Sequence, residues 1–576
     1  MPAPFIWVCT LTATELVLWL ILTQLGAWAN LLLGMRISGY ASILAACAAA
    51  IFVYAVKQRT ARRFAEWALV QALAVAIVFG SIGIAGLIFD ASYDGQAYHQ
   101  EAILQIGAGW NPIRHPDDAF ATSTLYTPNS NETWIEHYPK GTWLESASIV
   151  AATGRIETGK AVNWVLLAAS FLLAYVAAQM MLPRRRWLAL LVAAVAALNP
   201  ISITQAFTFY VDGQMGSLVL ILLAAAVIAW KTPDLWFVGV VAVACSAMQM
   251  ATIKFTGVPL AMLLLAGVAP LLWRGAPSRR VAVWAALCLV VAFGFSLVAL
   301  GYNPYVTNLR AHGSPFYPAA GQKRIDLLTI GAPKSFLARG STEKLAISLF
   351  ARSTQSSLVL PVLKMPGLVT RDEIKAFAID GYDVGYAGFG PLFSVVLVFA
   401  ALVALLLAWD TASSSRSLAD WPLAAWLGAT LLVSVFINTG AWWARLAPQI
   451  WILALFPLVL GVAMAPGARV GVRRAVLLFA TLGLAAALAN SGLVAAATLW
   501  ANLTTSRTLE VQLAAMRDAP SGSLDIDTMG LSSTARRLHE ARVRYREVRL
   551  DGDDVPMLTG TFARVVQHAR DGSSDF

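Results

Sequence analysis

Acids, histidines, amides and aromatics crowd into one stretch of this chain, Phe89 to Glu145, directly after an apolar run. Within it Asp94 is followed by Tyr98 and His99, four and five residues on, with Glu101 two further. On a helix beginning near Asp94, residues four apart share a face, so Asp94 and Tyr98 would point at one spot. A carboxylate held partly desolvated at a membrane surface could act as general base on an acceptor hydroxyl. It could equally stay ionised and orient that hydroxyl or a metal. Asp90, at the end of an apolar run, carries no meaning alone, because a hydrated acid there costs little. His99 reads either as a ligand for metal or phosphate or as a hydrogen-bonded structural histidine. His115 beside Asp117-Asp118 has the residue types of a metal site, although adjacent acids in a Pro-containing loop are usually solvated. His137-Tyr138-Pro139-Lys140 could contact a substrate, with Lys140 alternatively an interfacial anchor.

These residues need a scaffold, and composition says what kind. The chain has 576 residues, 58% hydrophobic and only 13% charged, with mean hydropathy +0.66. Soluble proteins carry about a quarter charged residues, so this is a membrane protein. The net charge of +10 does not point to nucleic acid, because the basic residues fall in short clusters between apolar spans, the positive-inside pattern. Cys9, Cys47, Cys245 and Cys288 all lie in apolar stretches without metal-ligand spacing. Phe5–Trp28 is too long for a signal-peptide core and reads as a retained first span.

A span needs about 20 mainly apolar residues. That rule predicts about 13 helices: 5–28, 40–56, 67–89, 161–182, 187–207, 213–230, 235–252, 257–273, 281–300, 390–409, 421–437, 450–464 and 475–500. Alternating sides puts Lys57, Arg59, Arg62-Arg63, Arg184-Arg185-Arg186, Lys231, Arg274, Arg279-Arg280, Arg416, Arg469 and Arg473-Arg474 on one side, the cytoplasmic one. The N-terminus is then cytoplasmic and the C-terminus periplasmic, and two large loops face outward. The expected division is 1–89 N-terminal helices, 90–160 first outer loop, 161–301 transmembrane core, 302–389 second outer loop, 390–502 C-terminal helices and 503–576 a small α/β appendage. In the first loop 134–152 is expected to lie along the surface, and in the second 345–360 to be amphipathic. In the appendage 523–527 and 545–550 read as strands and 532–542 as a helix. The fold class is all-α and polytopic, with that appendage.

Asp94-x-x-x-Tyr98-His99 after an outward-ending helix, then Tyr138-Pro139-x-Gly141, resembles the polyprenyl-phosphate-sugar-dependent integral membrane glycosyltransferases of the GT-C superfamily. The bacterial relatives of protein mannosyltransferases and aminoarabinose transferases are the most similar in type. Asn303-Pro304-Tyr305, Asn308 and Gly313-Ser-Pro315-Phe316-Tyr317-Pro318 are similar to that family's segment after a mid-chain span. Lys254-Phe-Thr-Gly257 and Trp442-Trp443-Ala-Arg445 are also similar in type. The resemblance covers roughly 67–464 and implies a GT-C-like fold with an essential acid in the first outer loop, at the position of Asp94. It implies a polyprenyl-phosphate-linked sugar as donor, a glycan, lipid or protein as acceptor, and the bacterial inner membrane as location. Two helices more than usual precede the acidic loop, and the adjacent acid pair frequent in the family is missing, so a divalent cation as cofactor is left open.

The leaving group of such an enzyme is a polyprenyl phosphate, which calls for fixed cations where charge develops, and Arg offers bidentate contacts. Outward-side cations are few. Arg445, between tryptophans and an apolar helix, is the first candidate and Lys254 the second. Arg310, Lys323 and Arg324 lie in the second loop. Each could instead bind headgroups or snorkel. Asp94 is thus the expected catalytic residue, with Tyr98, His99, Glu101, His137, Lys140, Lys254, Arg310, Tyr317 and Arg445 expected at the substrates. Asp525-x-Asp527 has the spacing of a metal-holding pair on one strand face, but without a nucleotide fold around it. An O-antigen ligase or polymerase and a lipid or sugar transporter are the alternatives. Ion-coupled transporters place charges at mid-membrane depth, and such residues are scarce here.

Overall fold

Inside a bilayer every backbone N–H and C=O must be satisfied within the protein, and uncharged runs of Ala, Leu, Val and Ile do this as helices. The computed structural model describes residues 3–60, 62–120, 131–183, 185–326, 331–355, 359–412, 421–520, 524–550 and 555–568. Among the described residues eleven helices are long and apolar enough to cross a membrane.

The chain begins with α1 (Ala3–Leu32), α2 (Tyr40–Arg59) and α3 (Phe64–Leu87). The first loop holds α4 (Gln100–Ala108), α5 (Glu132–His137) and α6 (Gly141–Thr153). Next come α7 (Ala161–Met181), α8 (Arg186–Ala197), α9 (Pro200–Thr204), α10 (Asp212–Lys231), α11 (Trp236–Ile253), α12 (Gly257–Gly275) and α13 (Arg279–Phe295). The second loop contains α14 (Thr307–His312), α15 (Lys334–Leu337), α16 (Ser341–Phe350) and α17 (Arg371–Asp380). Then follow α18 (Phe393–Ala412), α19 (Trp421–Phe436), α20 (Gln449–Met464) and α21 (Val470–Arg517), and after them β1 (Leu524–Asp527), α22 (Ser532–Glu540), β2 (Arg546–Glu547) and β3 (Arg564–Gln567).

All thirteen expected span positions carry apolar helix, but two are short. The expected 187–207 span is broken, because Pro200 has no N–H to continue a helix. Asn199 accepts a 3.0 Å hydrogen bond from the Ile201 amide and starts α9 afresh. With 12 residues, α8 is roughly 18 Å long, short of the ~30 Å hydrocarbon core. The other short one is α19, with 16 residues; α20 has as many but is continued by a helical turn to Gly467. At the centre of the bundle lie α10 and α11, while α3 and α13 turn most of their surface outward. One acid does sit within a span: Glu15 of α1 is buried and accepts from Gln71 of α3 at 2.9 Å.

Three expectations outside the spans need correction. First, α6 does not lie on the surface: Gly141 to Ile149 are all buried, against α1, α4 and α11. A Cβ at Gly141 would meet Thr252 Oγ1 at 2.7 Å, so glycine permits that approach. Second, the helix in 345–360 stops at Phe350, where Ala351 is extended and bridged to Leu363. Third, α21 does not end near 503 but runs on for 48 residues in all, roughly 72 Å, well beyond a bilayer's thickness. The three strands that follow are ordered β2-β1-β3, the first pair parallel and the second antiparallel. The strand β3 is absent from the sequence reading.

The loops and the tail meet at one end of the bundle. Described basic residues of the other set, such as Arg63, Arg274, Arg279 and Arg473, flank the opposite helix ends, and there Arg469 pairs with Asp410 at 2.7 Å. Arg184 and Arg416 lie outside the described residues.

Candidate active site

Asp94 stands at the start of a single π-helical turn, Gly95–His99, that feeds into α4. Such turns are frequent at functional sites. The turn is tight because Asp90 folds beneath it: a Cβ at Gly95 would lie 2.0 Å from Asp90 Oδ2. Asp90 Oδ1 accepts from the Ser92 amide at 2.8 Å and its hydroxyl at 2.6 Å, and Oδ2 accepts from the Phe209 amide at 2.8 Å. Asp90 therefore ties the first loop to the turn before α10, which carries Tyr210 and Asp212.

Across from Asp94 is Arg445, on the short turn before α20. Its Nη1 donates to Asp94 Oδ2 at 3.0 Å, and its Nε lies 3.1 Å from Asp383 Oδ1. The guanidinium sits 5.1 Å from the Tyr210 ring centroid and 4.6 Å from that of Trp443, positions where the ring faces favour a cation. Burial opposes the charge on Arg445, but Asp383 and Asp94 outweigh it and hold the pKa well above the usual value. Burial pushes the Asp383 carboxyl up to about 7, with Arg445 pulling the other way. Next to this group Lys254, at the break between α11 and α12, pairs with Asp212 at the first turn of α10.

A cavity of about 220 Å³ opens beside these pairs. Asp212, Lys254 and Arg445 line its polar part, and Met215, Leu260 and Leu263 its apolar part. Pro259 and Ile437, also in its wall, are exposed on the outer surface of the bundle. Asp94 reaches the cavity through Arg445, and its side chain is 20% exposed.

Of the other expected residues, Tyr98 and His99 are here as well. Burial pushes His99 down to about 4, so it is neutral at physiological pH, and its Nδ1 accepts from Trp143 Nε1 at 2.8 Å. His137 and Tyr317 form a separate aromatic cluster with His312, whose ring stacks on Tyr317 at 3.8 Å. His137 Nδ1 and Asn308 Oδ1 are 2.8 Å apart, and burial pushes His137 down to about 4. Lys140 is buried between Trp110 and Trp143 and donates to the Glu136 and Tyr138 carbonyls, each at 2.8 Å. Arg310 is peripheral, donating to the Tyr302 hydroxyl at 3.1 Å. Glu101 faces the tail, where it accepts from the Ser533 amide at 2.7 Å. Asp525 is occupied by Arg546, at 2.6 and 2.8 Å, and by His568, while Asp527 caps two backbone amides.

The carboxylates near Asp94 do not fit a divalent cation: Asp94 and Asp383 converge on the Arg445 guanidinium, which takes the place such an ion would need. Among the described residues no group of three or more His, Cys, Asp or Glu has a ligand arrangement.

The structure is similar to the crystal structure of ArnT from Cupriavidus metallidurans bound to undecaprenyl phosphate. The TM-score is 0.36 and the identity 14%, over 84% of this chain and 86% of that one. No family model and no curated protein matches the chain.

The sequence reading passed over four residues. Asp212 opens a span and Asp383 follows Gly381-Tyr382, and neither lies near Asp94 in the chain. The signal available for Asp212 was its place at the same end as Lys254, at the N-terminus of a helix. Tyr210 is two residues before Asp212, ahead of the helix. The fourth is Arg537 of α22, a fully buried arginine. Its Nη2 is 2.7 Å from Glu157 Oε1 and donates to the Asp90 carbonyl at 2.6 Å, and its Nη1 donates to Gln96 Oε1 at 3.0 Å. The tail thereby grips both sides of the Asp94 turn.

Proposed function

We propose that this chain is an inverting glycosyltransferase that moves a sugar from a polyprenyl-phosphate carrier to an acceptor hydroxyl at the periplasmic face of a bacterial inner membrane. The observation that carries the reading is the cavity with an apolar wall and a polar floor in which Lys254 and Arg445 are each paired with a carboxylate, Asp212 and Asp94. An amphiphile ending in phosphate matches that polarity. The clusters of Lys and Arg at the opposite helix ends support an orientation with the loops and the tail outside, where nucleotide sugars are absent and a donor must arrive on lipid.

The reaction follows from these residues. The acceptor oxygen attacks the anomeric carbon from the face opposite the phosphate. The carbon–oxygen bond to phosphate breaks, and its electron pair leaves with the lipid phosphate. The hydroxyl proton passes to Asp94. Arg445 and Lys254 meet the charge that grows on the leaving phosphate. Both cations are held by carboxylates before substrate arrives, so the incoming phosphate competes with Asp94 for Arg445. Drawing the guanidinium away raises the basicity of Asp94, and donor binding thereby readies the base. Tyr210 lies against the Arg445 guanidinium and the His99 ring, and Tyr98 packs on His99, so these three fix the surroundings of the pair.

The test uses purified protein in nanodiscs, undecaprenyl phosphate as probe and a panel of undecaprenyl-phosphate-linked sugars as donors. Arg445→Ala and Lys254→Ala should lose binding of the probe, and Asp94→Asn should keep binding and lose transfer. Absence of probe binding to the parent protein, or transfer by Asp94→Asn at the parent rate, defeats the reading.

A further inference from the structure

In the second loop, between α16 and α17, six large apolar side chains are exposed within ten residues: Val359, Leu360, Val362, Leu363, Met365 and Leu368. Met365 is 79% and Leu363 61% exposed. None of them lies in a span, and none lines the cavity. Water-facing surfaces rarely carry so dense an apolar patch. The segment is also built rather than loose. Pro361 and Pro366 limit its backbone, and Gly367 turns it at φ +91°.

Its attachment says at what height it sits. Lys364, with a side chain 2% exposed, points inward and pairs with Glu373. The same ammonium donates at 2.7 Å to the carbonyl of Pro391, two residues before α18 begins. A Cβ at Gly367 would lie 3.7 Å from Val395, in the first turn of α18. The loop is thus pinned where α18 enters the bundle, and its apolar side chains continue the outward-facing apolar surface that α18 presents at Val398, Leu402 and Leu405. Exposed Arg352, Arg371 and Lys375 flank it, with one exposed acid, Asp372, among them, an apolar segment with a net basic border that suits anionic headgroups.

We propose that residues 359–368 are seated in the outer leaflet, with Leu363 and Met365 among the acyl chains and the basic rim at the headgroups. The partner is the lipid monolayer itself. This holds the second loop, and with it Asp383 some fifteen residues on, at a fixed depth over the cavity. The proposal rests on α18 as a bilayer span and not on the transferase reading, so the two fail separately.

Nitroxide labels decide it. Leu363→Cys and Met365→Cys are made in a background of Cys47→Ser and Cys288→Ser, the two exposed cysteines, and placed in phosphatidylethanolamine–phosphatidylglycerol nanodiscs. Leu405→Cys on α18 and Met529→Cys in the tail are the controls. Collision with oxygen should exceed collision with a water-soluble nickel chelate at 363 and 365, as at 405, and the reverse should hold at 529. Dominance of the nickel chelate at both loop positions overturns the proposal. So does protection from both reagents, the result expected if a second copy or another protein covers the patch.

Discussion

Asp90 and Asp94 lie four residues apart on one bend, yet they belong to two different kinds of charge cluster. Around Asp90 everything is sealed. Arg537, Glu157 and Lys160 are fully buried, Lys160 donates to Glu157 at 2.5 Å and to the Ile88 carbonyl, and the Asp90 amide donates to Glu157 at 3.1 Å. Around Asp94 the carboxylates are partly open, 20% for Asp94 and 31% for Asp383, and a cavity adjoins their shared arginine. Both clusters join residues far apart in sequence. The difference is what each leaves for a ligand. In the first, every charge is spent on fixed protein partners, which rigidifies. In the second, Arg445 is shared among groups that an incoming anion can displace. Exposure and an adjoining cavity, rather than charge, separate the cluster that holds the loop from the one suited to chemistry.

The contrast can be broken most directly at its two centres. Asp94→Asn should lower turnover by about 10²–10⁴-fold, the range for a general base, with thermal unfolding unaltered. A slow variant that also unfolds early would move Asp94 into the structural cluster. Arg537→Ala should do the opposite, destabilising the protein by about 3–5 kcal/mol because it takes one of two cations from buried Glu157 and the donors from the Asp90 carbonyl and Gln96. Adding Glu157→Gln should recover part of that loss in thermal unfolding. If Arg537→Ala unfolds at the parent temperature, the sealed cluster does not hold the tail.

Asp383 sharpens the comparison through pH. Its carboxyl titrates at about 7. Below that it is neutral and competes less for Arg445, whereas above it two carboxylates oppose an incoming phosphate. Donor KM should therefore fall several-fold as pH drops through about 7, and Asp383→Asn should flatten the profile. An unchanged profile in Asp383→Asn assigns the titration elsewhere. The smallest effect belongs to Glu101, which burial pushes up to about 7. Because its folded pKa is raised, its contribution to stability is present below the ordinary carboxylate range and is lost as pH rises through about 7. Glu101→Gln keeps the acceptor for Ser533, so it should shift stability by less than about 1 kcal/mol and remove that pH dependence. Glu101→Ala should cost about 1–3 kcal/mol for the stranded amide.

Much of the scaffold was legible, because a bilayer leaves a chain few options: apolar runs of the right length became helices at the positions that hydropathy marks. Where local chemistry intervened, length alone misled. Asn199-Pro200 split one expected span, and the tail of α21 stayed helical past 503 because its Ala, Leu and Glu residues favour helix as well in water as in lipid. Asp94 and Arg445 were each marked by their neighbours as candidates, and the fold brings them to 3.0 Å. Glu101 and Arg310 had similar local settings but face the tail and the periphery, since sequence spacing does not report which way a loop turns. Asp383 and Arg537 gave no local sign, and Asp212 only its place at the N-terminus of a helix. Each acquires meaning only from a partner more than forty residues away, and a single sequence does not encode that adjacency in any short pattern.

The grip of Arg537 on the Asp94 turn has a consequence for biosynthesis. Residue 94 leaves the ribosome early, but the arginine that sets its surroundings is made only after the last span has been threaded. Until then the bend at Asp94 is tied to the turn before α10 and to Arg445 but lacks its brace from the tail. On the transferase reading, activity then waits for the far end of the chain to dock.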